Sequence, residues 1–296
     1  MYSVIDGTQD YKEEIPMSKS IQAFQKTKEY LVCIDSDGCA IDSMTIKHKL
    51  AFGPAFVDTF SLNQYKDELM NEWLRINLYS MTRGINRFKG LNMALHYCND
   101  HFVKIDNLED FDKFCKKTKA FSNDALIAYK QENPSKLLDL CLEWSLETNR
   151  RIKAIHDDDI VLFKNVKESI ASLAKFANIA VVSSANFDAI WKEWERLGIL
   201  EYVDCFCSQL DGTKAACIQA LLFKGYKASN VVMIGDGPGD LDAAYVNGVY
   251  FYPILCKHED ESWKCSLRYI DNFANNTIGE HQEELVDAFK NNLKSS

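Results

Sequence analysis

Six residues in this chain have the types and the spacing to do chemistry together: Asp35, Asp37, Ser183, Lys214, Asp236 and Asp240. Asp35 and Asp37 directly follow an apolar run at 31–34 and precede Gly38. Two carboxylates one residue apart repel unless a cation lies between them or one holds a proton. Ser183 ends a second apolar run, 179–182. Asp236 and Asp240 follow a third, 231–234, in the turn Gly235-Asp236-Gly237-Pro238-Gly239-Asp240. Lys214 opens a helical stretch between the second and third runs. If the runs are parallel strands, their ends share one side of the sheet, where ligands bind. Carboxylates, a hydroxyl and a lysine converging there make a magnesium and phosphate site, because Mg2+ takes hard oxygen ligands and keeps waters or substrate oxygens. Each residue alone has a plainer reading. An aspartate or serine after a strand is ordinarily a turn or cap residue, and Ser184 fits that cap as well as Ser183. A lone lysine is ordinarily a solvated surface group.

The elements that must position these residues alternate. Apolar runs at 31–34, 179–182, 205–208, 231–234 and 249–254 read as strands, and 166–176, 187–197, 215–223, 241–246 and 280–293 as helices. Such alternation predicts an α/β fold with a Rossmann-like, three-layer α/β/α core around a parallel sheet. From about 45 to 160 the pattern is helical throughout, with stretches at 65–78, 91–97, 108–115, 124–131 and 137–146. Asp106 or Asn107 is the expected cap of the third, and Pro134 the expected first-turn residue of the last. The predicted organisation is an arm at 1–28, an α/β core at 29–45 and 161–296, and an inserted all-helical cap at 46–160.

The net charge of -9 argues against nucleic acid as a partner, since a phosphate backbone needs a basic footprint. No apolar run reaches the ~18 residues of a membrane span, and 1–30 has no apolar signal core. Ten cysteines without a CxxC pair read as packed, reduced thiols of a cytoplasmic protein. Cys39, beside the aspartates, is a candidate for oxidation sensitivity. Oligomeric state is open; the arm and the tail after 257 are candidate contact surfaces.

Asp35-Ser36-Asp37-Gly38 matches the DxDG motif of the haloacid dehalogenase-like hydrolases, with Ser183, Lys214 and Gly235-Asp236 with Asp240 as second, third and fourth motifs. The chain resembles that superfamily from about 29 to 255, and an insertion just after the first motif resembles its C1-type cap. The resemblance implies a Mg2+-dependent phosphatase of a small phosphorylated metabolite working through an aspartyl-phosphate. Asp35 is then the nucleophile, and Asp37 the acid and base. Ser183 binds a phosphoryl oxygen and Lys214 stabilises charge. Asp35, the backbone carbonyl of Asp37, Asp236 and Asp240 hold the metal, and Ser184 and Asn186 are candidate substrate contacts in the second motif's turn. In the cap, Arg83-Gly84-Ile85-Asn86-Arg87-Phe88-Lys89-Gly90 groups three cations with two glycines; Arg83 or Arg87 is the expected contact to the leaving group. His48 reads as structural and Asp157 to Asp159 as a solvated hinge. A phosphosugar mutase keeps the same residues and stays open as an alternative, as does a non-catalytic phosphate-binding member. Asp37 disfavours a dehalogenase or phosphonate-cleaving enzyme.

Overall fold

β1 (Tyr30–Ile34) is buried on both faces, with Leu31 to Ile34 fully enclosed. Successive side chains point to opposite sides of a strand. Val32 and Ile34 therefore enter one apolar cluster, and Leu31 and Cys33 another. This is why the run shows no polar alternation in sequence. The computed structural model describes residues 19–118, 121–275 and 278–295.

After β1 the chain leaves the sheet. α1 (Met44–Lys47), a π-helical turn at His48–Phe52, α2 (Gly53–Thr59), α3 (Lys66–Asn77), α4 (Arg87–His101), α5 (Leu108–Lys117), α6 (Asn123–Glu132) and α7 (Lys136–Ile152) follow in order. They enclose their own cluster, whose buried members all lie between Phe52 and Trp144. Its centre is aromatic: Trp73 has Phe52, Phe56 and Trp144 at ring-centroid distances of 6.4, 5.7 and 5.8 Å. α1 and α2 lie outside the helical stretches read from the sequence; Pro54 occupies the first turn of α2, which tolerates it. α4 begins four residues earlier than the apolar pattern suggests, because the Asn86 side chain accepts from Phe88 N and caps it. Pro134 is not in the first turn of α7: extended Ser135 is the N-cap and the helix starts at Lys136. Asn107 caps α5 through left-handed backbone, with no side-chain bond.

The chain returns alongside its exit. Ile41 bridges Leu162 antiparallel, Asp42 N donates to Val161 O at 2.9 Å, and Phe163 N donates to Ala40 O at 3.2 Å. Then follow α8 (Val166–Leu173), β2 (Ala177–Val182), α9 (Phe187–Arg196), β3 (Cys205–Cys207), α10 (Lys214–Leu222), β4 (Val231–Gly235), α11 (Pro238–Asn247), β5 (Tyr250–Pro253), α12 (Glu259–Ala274) and α13 (Gln282–Ser295). The five strands form one parallel sheet ordered β3-β2-β1-β4-β5. α8, α9 and α12 pack on one face through Ile170, Trp194 and Trp263, and α10, α11 and α13 on the other through Ile218, Ala243 and Phe289. The fold is a Rossmann-like α/β/α core carrying an inserted helical cap. In the tail after 257, α12 and α13 each bury one face against the sheet. The described part of the arm is also docked: Ser20 bridges Phe206, and Ile21 and Phe24 are buried. Residues 1–18 lie outside the described residues. No helix among the described residues is long and apolar enough to cross a membrane.

Candidate active site

β1 lies between β2 and β4, where the chain winds away in both directions. The crevice at the carboxyl ends of strands at such a switch point is where α/β proteins bind ligands. Asp35 is the first residue past β1, and its N–H donates to Ile234 O at 3.0 Å, which seats it beside the end of β4. Two indoles from the helical layer fix the loop that follows: Trp194 Nε1 donates to Ser36 Oγ at 2.9 Å and Trp263 Nε1 to Cys39 O at 2.8 Å. Gly38 turns the loop at φ +81°, and a Cβ there would stand 2.7 Å from Met44 Sδ and 2.8 Å from Asp236 Oδ2. Both backbone and space demand glycine.

β4 ends in the second carboxylate group. Asp240, in the first turn of α11, accepts from Gly237 N through Oδ2 at 3.0 Å. Its side chain lies so close over Gly235 that any Cβ at Gly235 would collide with it. Lys214, at the start of α10, reaches Asp240 Oδ1 at 2.6 Å and Asp35 Oδ2 at 2.8 Å. Asp35, Asp236 and Asp240 are all buried and bring ligand oxygens within 4.8 Å of one another. Burial raises the Asp35 carboxyl well above its usual range, and the charges of Asp240 and Asp236 add to this against Lys214. Burial likewise raises Asp236, despite the opposing Arg83 charge. Lys214 stays charged: Asp240 and Asp35 outweigh its own burial. Three carboxylates thus face two cations in a dry pocket, and every donor is a hard oxygen. That donor set fits a divalent cation of the Mg2+ kind.

Ser183 follows β2, next to β1, and is buried, whereas Ser184 is exposed. Ser183 Oγ accepts from Ala185 N at 3.1 Å, which leaves its own proton to donate. Asn186 is the N-cap of α9, accepting from Asp188 N at 3.0 Å, so its side-chain oxygen is engaged in the backbone.

The Asp37 side chain stands outside the carboxylate trio. Its Oδ1 accepts from Ser43 Oγ and from Lys47 Nζ, the latter at 2.8 Å. Lys47 Nζ also lies 3.5 Å from Glu193 Oε1 on α9. Burial alone would raise the Asp37 carboxyl, but the Lys47 ammonium and the bonds from Lys47 and Ser43 outweigh it and leave it lowered. Sequence reading missed this clasp. Its one local signal is that Ser43 and Lys47 are four apart, a spacing that shares a helix face.

The two cap arginines have different fates. Arg83 is buried, and its Nε donates to Asp236 Oδ2 at 2.6 Å. The expected leaving-group contact thus lies in the site but bonds to a carboxylate of the core. Arg87 turns into the cap instead, donating to Asn149 Oδ1 at 2.7 Å and Ser145 Oγ at 3.4 Å, with its guanidinium 5.0 Å from the Phe52 ring. His48 is structural: Nδ1 accepts from Trp73 Nε1 at 3.0 Å and the ring stacks on Phe52. Cys39 is fully buried, and burial with the neighbouring carboxylates pushes its thiol well up, so it lacks the thiolate and the access that oxidation needs.

The fold thus sets three buried carboxylates and a lysine at its switch point, where an α/β protein binds its ligand. The sequence profile of the haloacid dehalogenase-like hydrolases matches residues 92–254, more than half of the chain. The chain belongs to that family. The matched stretch contains Ser183, Lys214, Asp236 and Asp240 and begins after Asp35, Asp37 and Arg83. Among solved structures, the chain is similar to a haloacid dehalogenase-like family hydrolase from Streptococcus pneumoniae (16% identity, 77% of this chain and 85% of that one, TM-score 0.44). It is similar to a predicted phosphoglycolate phosphatase from Haemophilus somnus (15%, 77% and 86%, TM-score 0.42). It is also similar to a predicted phosphatase from Clostridium acetobutylicum (15%, 77% and 85%, TM-score 0.42). A search of curated proteins returns no match to the chain.

Proposed function

We propose that the protein is a Mg2+-dependent phosphatase of a small phosphorylated metabolite. The observation that carries this reading is Asp35, buried at the end of β1 and tied through Lys214 to Asp240 in a trio with Asp236. Asp35 attacks the phosphorus of a phosphomonoester, and the P–O bond to the leaving alkoxide breaks. Asp37 supplies the proton that the alkoxide takes, leaving an aspartyl-phosphate. Asp37 then takes a proton from water as that water attacks phosphorus, the bond to Asp35 breaks and inorganic phosphate leaves. The proton-donating half requires the Asp37 carboxyl to leave Lys47, which favours its ionised form. Ser183 directs its hydroxyl proton at a phosphoryl oxygen, and Lys214 meets the charge that grows between Asp35 and the phosphoryl group. Held by Asp35, Asp236, Asp240 and the Asp37 backbone carbonyl, Mg2+ would offset the repulsion between a carboxylate and a phosphate dianion. A cap over the site suits a small metabolite in place of nucleic acid or membrane lipid, and ten free thiols, eight of them buried, support a reducing cytoplasmic setting.

The test is phosphate release from a panel of small phosphorylated metabolites and an aryl phosphate, with and without Mg2+. Release that needs Mg2+ and vanishes in Asp35→Asn is expected. Release that survives Asp35→Asn, or none across the panel, overturns the reading.

A further inference from the structure

Arg83 comes from the loop between α3 and α4, yet its guanidinium is bonded mainly to the core. Nε donates to Asp236 Oδ2 at 2.6 Å and Nη2 to Gly38 O at 3.3 Å. Nη1 donates to Cys256 Sγ at 3.4 Å and to Leu78 O of its own loop at 2.9 Å. Glu259 Oε1 on α12 lies 3.9 Å from Nη2. The side chains of Arg83 and Asp236 are 2% and 3% exposed, so this is a dry pair joining two layers of the molecule. Gly38 makes room for it, since a Cβ there would stand 3.0 Å from Arg83 Nη2.

Asp236 therefore has two claims on it. It belongs to the trio that fits a divalent cation, and it is the carboxylate that fastens the cap loop to the core. An arginine cannot shed its charge to make way. A guanidinium and a dication sharing one carboxylate repel strongly where water is excluded. Fully ionised, the trio carries one negative charge more than Lys214 and Arg83 offset, and two more than Lys214 alone offsets, which is the charge a dication neutralises.

We infer that Arg83 is a metal-released latch: it pairs with Asp236, and loading of Mg2+ expels it and loosens the cap loop at 78–86. The inference rests on the Mg2+ reading above. Linkage makes it reciprocal, because whatever Mg2+ does to the latch, the latch does to Mg2+ affinity. The opposing possibility is that Arg83 orients Asp236 as a metal ligand, as hydrogen-bonding neighbours of ligating carboxylates do. The two predict opposite signs.

Isothermal titration of Mg2+ into the full chain without substrate separates them. Arg83→Gln is expected to bind Mg2+ more tightly than wild type, by about tenfold, within the usual range for coupled sites. Equal or weaker binding overturns the latch. Hydrogen exchange on the wild-type protein gives a second reading that needs no variant. Added Mg2+ is expected to speed amide exchange across 78–86, and unchanged or slower exchange there overturns the latch even if Arg83→Gln does not fold. Should neither protein bind Mg2+, the metal reading falls and the latch with it; binding of equal strength in both rejects the latch alone.

Discussion

Asp236 and Asp240 are four residues apart, and so are Arg83 and Arg87. The first pair converges on one point and the second diverges. The difference lies in what stands between the members. β4 ends at Gly235, just before Asp236, and α11 begins at Pro238, so both carboxylates face the crevice at β1. Between Arg83 and Arg87, Asn86 caps α4 and reorients the chain. Arg83 stays in the loop and reaches Asp236, while Arg87 joins the helix and turns to α7. Equal spacing specifies a site only where one element fixes both residues. On the core side that element is local; on the cap side the partners lie 153 and 62 residues away.

The comparison breaks first if the core side does not carry the chemistry. Asp35→Asn is expected to lower kcat/KM at least ~10⁴-fold, as removal of a covalent nucleophile does. Its thermal midpoint without Mg2+ should hold or rise, because one of three crowded buried carboxylates is neutralised. Phosphate release and thermal unfolding on the same sample check both parts. A large loss of stability would mean that Asp35 is holding the fold.

The cap side answers to packing. Trp73→Ala removes the centre of the helical cluster and is expected to cost ~3–5 kcal/mol. Because that cluster is closed on itself, chemical denaturation should then show two transitions, with the helical cap melting first. One unshifted transition would show that the cap is not held by this cluster.

The same contrast governed what was legible in sequence. The strand ends were readable because strands buried on both faces stand out as apolar runs, and the residue after each run is set by the run itself. Asp35, Ser183 and Asp236 are placed this way. The clasp of Lys47 on Asp37 and the bond of Arg83 to Asp236 were not readable. The first depends on α1, a helix of four residues that no apolar periodicity marks, folding back on the loop before it, and the second on a cap loop folding onto the core. α12 escaped notice for a related reason: its buried face is set by contact with α8 and the sheet, as with Trp263 O accepting from Ser169 Oγ at 3.1 Å.

Cations on the two sides sharpen the contrast. Lys214→Met should cost about 10²–10³ in kcat, the range for losing one donor to developing charge. Arg87→Met should cost less than about tenfold, because its partners in the structure are Ser145, Asn149 and the Phe52 ring. Steady-state kinetics on the best substrate of the panel compares them. A larger loss from Arg87→Met would place Arg87 on the substrate in the working enzyme.

His48 gives the one effect specific to pH. Burial, with Arg83, Arg87 and Lys47 nearby and only Asp37 opposing, lowers its folded-state pKa to about 3 from 6.5. Between those values the unfolded chain binds a proton that the native ring does not, so stability rises with pH through the window and is lost as pH falls. From pH 7 to pH 5 the loss attributable to His48 should be ~2 kcal/mol. Gln in its place keeps an acceptor for Trp73 Nε1 and does not titrate. Urea unfolding at both pH values, wild type against His48→Gln, isolates the difference. The wild-type loss should exceed the variant's by that amount, and equal losses would mean that His48 stays accessible to protons in the folded cap.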